Sequence, residues 1–192
     1  KMRDKSKKGT LLWVLDKTST SMGGRQLRRW LNDPLVDVVE INRRLDAVKE
    51  LKDNIMLRGD VIESLKKVYD IERLAGKMAY GNANARDLLQ LKTSLKVLPS
   101  IREILTKINF DKNIETLDSL YELLERSIYE NPPVTIKEGY LIKEGYNSSL
   151  DELKSLRSNG KDFVANFEKE EREKTGIKTL KVGYNRVFGY YI

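Results

Sequence analysis

The 192-residue sequence contains no cysteine and no histidine. Disulfides, Cys/His zinc sites, cysteine nucleophiles and histidine-based triads are therefore excluded from it. The lack of thiols also fits a reducing, cytoplasmic setting. Prolines number 4 and aromatic residues make up 8% of the chain, a scarcity that suits long solvated helices better than a sandwich of short strands. The longest apolar run, Leu11 to Leu15, is far shorter than the roughly 20 residues a membrane helix needs, so no membrane partner is expected. The polar, basic N-terminus has no hydrophobic signal core. No GxxxxGK[ST] loop occurs either, so the segment should not hydrolyse ATP and should hold no cofactor or metal of its own. Met22-Gly23-Gly24-Arg25, ahead of the amphipathic stretch Gln26 to Leu31, reads as a tight turn entering a packed helix in preference to a phosphate cradle.

Charged residues are abundant at 34%, and the net charge of +7 is unevenly placed. Residues 1–10 carry Lys1, Arg3, Lys5, Lys7 and Lys8 against Asp4. Residues 175–192 carry Lys178, Lys181 and Arg186 with no acid. These two ends account for the whole excess and leave a formally neutral middle, a distribution suited to a polyanion meeting the ends. The plain alternative for the N-terminal run is a solvated tail.

Apolar spacing predicts helix through most of the chain. Val38, Ile41, Leu45 and Val48 share one face. Ile62, Leu65 and Val68 form a shorter stripe, with Asp60 as its expected N-cap. Leu88, Leu91, Leu95 and Leu98 form another, which Pro99 should interrupt before Ile101 to Leu105 resume. Leu117, Leu120, Leu124 and Ile128 line a helix that must stop by Asn131-Pro132-Pro133. Such stripes need one another, which means a helical bundle. The echo of Ile136-Lys137-Glu138-Gly139-Tyr140 in Ile142-Lys143-Glu144-Gly145-Tyr146 reads as a small extended segment or hairpin with glycine turns. One long helix is expected from about 148 to 174, with Leu153, Leu156, Gly160, Phe163 and Phe167 as a coiled-coil seam and close packing at Gly160. That seam has no later helix to cover it.

After Thr175-Gly176 the period becomes two. Leu180 to Tyr184 reads as a strand, Asn185 to Gly189 as a connection and Tyr190 to Ile192 as the returning strand. The sheet is expected to continue past residue 192, since a lone hairpin is marginal in water. Paired carboxylates (Asp70 and Glu72, Glu122 and Glu125, Glu168, Glu170 and Glu171) fall among lysines and arginines, where salt-bridge lacing explains them without acid-base chemistry. The basic hairpin is the best candidate site. Lys181 and Arg186 can neutralise phosphates, and Asn185 and turn N–H groups can donate to phosphate oxygens. The aromatics Tyr184, Phe188, Tyr190 and Tyr191 can anchor the strands and hold the tip rigid; alternation puts some of them on a buried face, so they are read chiefly as packing and not base stacking. A basic edge strand that discourages aggregation is the competing reading.

Several stretches carry a resemblance. Gly9 to Thr18, then Met22 to Leu31 and Pro34-Leu35, resemble the opening of the core domain of the MutS family of DNA mismatch-repair proteins. Arg44 to Val48 and Tyr69 to Leu74 look like the next landmarks, in order. Glu170 to Ile177 and Leu180 to Ile192 are similar to the family's lever-to-clamp junction. The resemblance implies a mainly α fold: a helical bundle core over 1–147, a long coiled-coil-like lever helix over 148–175, and the start of a small, truncated antiparallel β clamp over 176–192. It implies a structural, backbone-gripping segment that links an ATPase domain to a clamp on double-stranded DNA, with Lys181, Tyr184, Asn185 and Arg186 approaching phosphates. ATP and Mg would belong to a domain absent here, as would the main surfaces of the family's homodimer. Other mismatch-repair proteins are expected partners. The alternative from the residues alone is a helical protein-interaction scaffold with no nucleic-acid role.

Overall fold

A computed structural model describes residues 8–108, 114–158 and 160–192 of the chain. It divides into two compact units, Lys1–Lys143 and Glu144–Ile192. The fold is mainly helical, with one small antiparallel sheet at the C-terminal end.

In the first unit, helix α1 (Leu11–Leu15) packs against α2 (Ser21–Asn32). The glycines lie inside the first turn of α2, not in a turn before it, because Thr20 is the N-cap and its Oγ1 accepts from Gly23 N–H at 3.0 Å. Their role is close approach. A Cβ on Gly23 would sit 3.1 Å from Thr20 Oγ1 and 3.3 Å from Thr18 Cβ.

Helix α3 (Val38–Asp53) forms as the spacing predicts, capped by Asp37, but it turns a different arc inward. Ala47 is buried and Ile41, Arg44 and Leu51 are half-buried, while Val38, Leu45 and Val48 stay exposed. Arg44 lies over the Trp30 ring, 4.3 Å from its centroid, tying α3 to α2. Helix α4 (Ile55–Lys66) starts earlier than expected. Asn54 caps it by accepting from Leu57 N–H at 3.0 Å, and Asp60 falls mid-helix.

Helix α5 (Ile71–Ala79) is capped by Asp70, whose carboxylate is also the anchor for α2. Arg25 donates from Nη1 and Nη2 to the two Asp70 oxygens at 2.7 Å each, and from Nε to Glu72 Oε2 at 3.0 Å; Ser21 Oγ adds a bond to Asp70 at 2.9 Å. Two distant sequence landmarks thus meet in one bidentate pair.

The long α6 (Ala85–Lys107) is the spine of this unit, packing against α4, α5 and α7 (Asp118–Ser127). It opens with a capping box between Asn84 and Asp87, and Asp87 also takes Lys77 Nζ at 2.6 Å. Pro99 does not interrupt it. The lost hydrogen bond costs about 3 kcal/mol, and burial on both sides of the proline, at Leu91, Leu95, Ile101 and Ile104, outweighs that cost. Leu74, Ala85, Leu91, Leu95, Leu124 and Ile128 make the core cluster. Ile128, just past α7, forms an antiparallel bridge with Ile142, flanked by Tyr129 N–H to Leu141 O at 3.0 Å and Lys143 N–H to Ser127 O at 2.8 Å. The second copy of the repeated pentapeptide therefore pairs with the end of α7; the first contains a short 3-10 turn, Ile136–Glu138.

Acid should unfold this unit in a defined window. Arg25 holds the Asp70 carboxyl far below its ordinary value of 3.8, with burial opposing, and Arg43 and Arg44 hold Glu40 down at about 2. Lys92 lowers Glu125 and Lys77 lowers Asp87. Each group is more acidic folded than unfolded, so its contribution is complete above the ordinary carboxylate range and is lost as pH falls through the folded values. With no histidine in the chain, no side chain of ordinary pKa titrates between about pH 5 and 8. Thermal melts should show a plateau across that range and a fall below about pH 4. A midpoint that moves between pH 6 and 7 would contradict this account.

In the second unit, the single helix expected over 148 to 174 appears as α8 (Ser148–Ser158) and α9 (Gly160–Thr175), with residue 159 outside the described residues. Asn147 caps α8 by accepting from Leu150 N–H at 3.0 Å. Among the described residues nothing lies within 4 Å of where a Cβ on Gly160 would sit, so they give no close packing there. Leu153, Leu156, Phe163 and Phe167 are exposed along this pair. Gly176 ends α9 at φ +72°, and its N–H donates to Arg172 O at 3.0 Å.

Candidate nucleic-acid interface

Beyond α9 the chain forms a hairpin of β1 (Gly183–Asn185) and β2 (Gly189–Tyr191), in the register Gly183 to Tyr191, Tyr184 to Tyr190 and Asn185 to Gly189. Asn185 and Gly189 are therefore ladder partners at the strand ends, and only Arg186, Val187 and Phe188 form the connection. Gly189, the first residue of the returning strand, has φ +77°, a backbone conformation that glycine adopts without steric cost. Asn185 Oδ1 accepts from Val187 N–H at 2.8 Å, a local turn bond that fixes the Asn185 side chain at the tip.

The four predicted residues lie on this hairpin and its entry. Lys181 precedes β1, Tyr184 is its middle residue, Asn185 ends it and Arg186 opens the turn; all four are exposed. Among the described residues neither Lys181 nor Arg186 enters an ion pair with an acid. The N-terminal basic run up to Lys7 lies outside the described residues.

The aromatics depart from expectation. Tyr184, Phe188, Tyr190 and Tyr191 are all exposed, so none serves as buried packing within the described residues. Tyr184 and Tyr190 meet directly across the ladder at 5.1 Å between centroids, edge to face at 60°. On the other face the Tyr191 ring covers Gly183: a Cβ there would sit 2.6 Å from Tyr191 Cζ. Both contacts stiffen a ribbon that is two-stranded among the described residues.

Two residues whose role sequence reasoning passed over fix the hairpin entry. Glu168 and Arg172, one helical turn apart on α9, are paired with each other. Glu168 Oε2 also accepts from Val182 N–H at 3.1 Å, and Arg172 Nε donates to Leu180 O at 2.7 Å. The i,i+4 spacing of Glu and Arg was legible as a helix-surface pair; their backbone partners were not, because loop geometry decides them.

No group of acids suited to holding a metal ion occurs among the described residues. Five of the seven carboxylates grouped in the sequence meet cations: Asp70 and Glu72 at Arg25, Glu125 at Lys92, Glu168 at Arg172 and Glu171 at Lys174. No described helix is long and apolar enough to cross a membrane.

The family model described as MutS domain III matches residues 1–181, ending at Lys181. The chain is 53% identical to the DNA mismatch repair protein MutS of Clostridium tetani, 51% to that of Bacillus subtilis and 50% to that of Acetivibrio thermocellus. Each similarity covers 100% of this chain and 22% to 23% of the relative, so the chain spans less than a quarter of the proteins it matches. The helical bundle, α8, α9 and the hairpin entry all fall within these alignments, and the chain belongs to the MutS domain III family.

Proposed function

We propose that this segment grips the backbone of duplex DNA as part of a mismatch-repair protein, with Lys181 and Arg186 neutralising phosphates and Asn185 and Tyr184 shaping the hairpin between them. The observation that carries this reading is a hairpin whose cations are exposed and, among the described residues, unpaired with acids, in a stretch, 175–192, that contains no carboxylate side chain. Nothing in the arrangement discriminates among bases: lysine and arginine at a turn tip meet phosphate oxygens, which carry no sequence information. The segment takes no catalytic part. ATP with Mg, the dimer surfaces and contacts to other repair proteins belong, in this reading, to the remainder of a full-length family protein, of which the chain forms the part that carries the clamp.

Replacing Lys181 and Arg186 with alanine in a full-length family protein carrying this segment should weaken duplex binding roughly tenfold at about 0.1 M salt. The loss should be uniform across sequences, and the slope of log affinity against log salt should become shallower by about 1.8, two phosphate contacts at about 0.9 each. Fluorescence anisotropy with several unrelated duplexes measures both. An unchanged slope, or a loss confined to one sequence, would rule out phosphate contact.

A second reading has its own support. The exposed seam of Leu153, Leu156, Phe163 and Phe167 is suited to a partner helix, which is what a protein-interaction scaffold would present. Light scattering before and after adding duplex separates the two: DNA-dependent complex formation belongs to the first, DNA-independent association to the second.

A further inference from the structure

The entry to the hairpin does not run on from the tip of α9. Leu180 lies level with Arg172 and Val182 level with Glu168, so as the chain number rises along the entry it falls along the helix. Residues 180–182 therefore double back, antiparallel to the last turns of α9. Two dimensions agree here. Four helical residues rise about 6.0 Å, and two extended residues advance about 6.6 Å. Glu168 and Arg172, four residues apart on the helix, thus meet backbone groups two residues apart in the returning segment, Val182 N–H and Leu180 O. One side chain accepts an N–H and the other donates to a C=O, as a neighbouring strand would.

The two prongs also hold each other, since Arg172 Nη2 bonds Glu168 Oε1 while its Nε serves Leu180 O. Each side chain is only partly exposed, 23% for Glu168 and 37% for Arg172. Both bonds to the backbone are charge-assisted, which makes them stronger than neutral ones. The helix also supplies the turn that starts the reversal, through Gly176 N–H to Arg172 O and then Leu180 N–H to Ile177 O at 3.2 Å. Lys181 sits between the two pinned residues, and Tyr184, Asn185 and Arg186 follow within four positions of the second.

We propose that Glu168 and Arg172 are positioning residues for the duplex grip, pinning residues 180–182 along α9 so that the basic hairpin moves with the helix as one body. This rests on the phosphate-gripping reading for its consequence, although the pinning itself does not. The charge of the two residues makes the role separable from simple electrostatics. Removing the negative charge of Glu168 near a polyanion would tighten binding if charge alone mattered, whereas loss of positioning weakens it. Likewise, if Arg172 met phosphate itself, lysine would substitute for it. A lysine keeps the charge but not the fork that reaches a carbonyl and a carboxylate together.

The test has two arms. Because the chain lacks cysteine, Lys169→Cys on α9 and Val187→Cys at the turn give two unique spin-label sites in the 192-residue chain. Double electron–electron resonance should give one narrow distance distribution, which broadens in Arg172→Ala and in Glu168→Ala. Circular dichroism checks that helix content is retained, and Arg172→Lys serves as the milder variant. In a full-length family protein carrying the segment, Glu168→Ala and Arg172→Lys should each weaken duplex binding severalfold. Combining either with Lys181→Ala and Arg186→Ala should add little further loss. Unbroadened distances in both alanine variants, or tighter binding on losing Glu168, would overturn the proposal. Broadened distances with no effect of Lys181→Ala and Arg186→Ala would leave the pinning standing and refute the phosphate grip instead.

Discussion

Replacing Leu95 with alanine should destabilise the first unit by about 3 kcal/mol, within the range that buried leucine truncations cost. Leu95 is 2% exposed and belongs to the cluster shared by α5, α6 and α7. The loss combines transfer of the missing carbons with a cavity, and the site has little room to collapse. Leu95 stands four residues before Pro99, where the helix already lacks one backbone bond, so the backbone there has least to spare. Urea denaturation of the 192-residue chain should show a lower midpoint with an unchanged slope. Leu98→Ala, at a half-buried neighbour on the same helix, should cost clearly less. Equal losses at the two sites would place the core elsewhere.

Ser94→Ala is expected to cost about 1–2 kcal/mol even though alanine is the better helix former. Ser94 is fully buried, its Oγ accepting from Tyr69 N–H at 2.9 Å and donating to Gln90 O at 2.8 Å. The second bond is expendable, because Gln90 O is a helix carbonyl. The first is not: it satisfies an N–H in the linker before α5, and alanine strands that donor. Hydrogen exchange should therefore show Tyr69 N–H losing protection beyond the global change. Full retention of that protection in Ser94→Ala would mean another group, or water, satisfies the amide. The sites are adjacent, so Leu95→Ala and Ser94→Ala should not be additive.

How far the fold was legible depends on which physical question the sequence can answer. Periodicity found α3, α6 and α7 because apolar residues at three- and four-residue steps announce a helix whatever it packs against. It misplaced the inward arc of α3, where small Ala47 faces the interior while Val38, Leu45 and Val48 do not; only the neighbours decide that. Asp60 is chemically fit to cap a helix, but α4 starts earlier and its cap is Asn54, whose side-chain Oδ1 accepts from Leu57 N–H. Pro99 was read by its local cost, yet burial around it prevails. The period-two pattern places the hairpin's strand ends within three residues of where they lie, the first strand starting at Gly183 and not at Leu180, but the buried face expected for some of its aromatics is not formed by these residues. Lys181, Tyr184, Asn185 and Arg186 were found by charge and turn chemistry. Glu168 is legible as part of a salt-bridged helix surface, but its role and that of Arg172 in holding the entry are not, since the atoms they hold are backbone groups that only the reversal after Gly176 brings into reach.

That reversal has a consequence for where the chain can change length. Residues 177–179 form a short exposed bend, and one residue gained or lost there shifts only the bend, provided Leu180 and Val182 still reach the helix. A residue inserted between Glu168 and Arg172 swings one side chain about 100° around the helix axis relative to the other. The two can then no longer face the same strand edge. Related chains should therefore vary in length in the bend and keep the helical interval fixed at four, a pattern that comparing sequences alone can reveal.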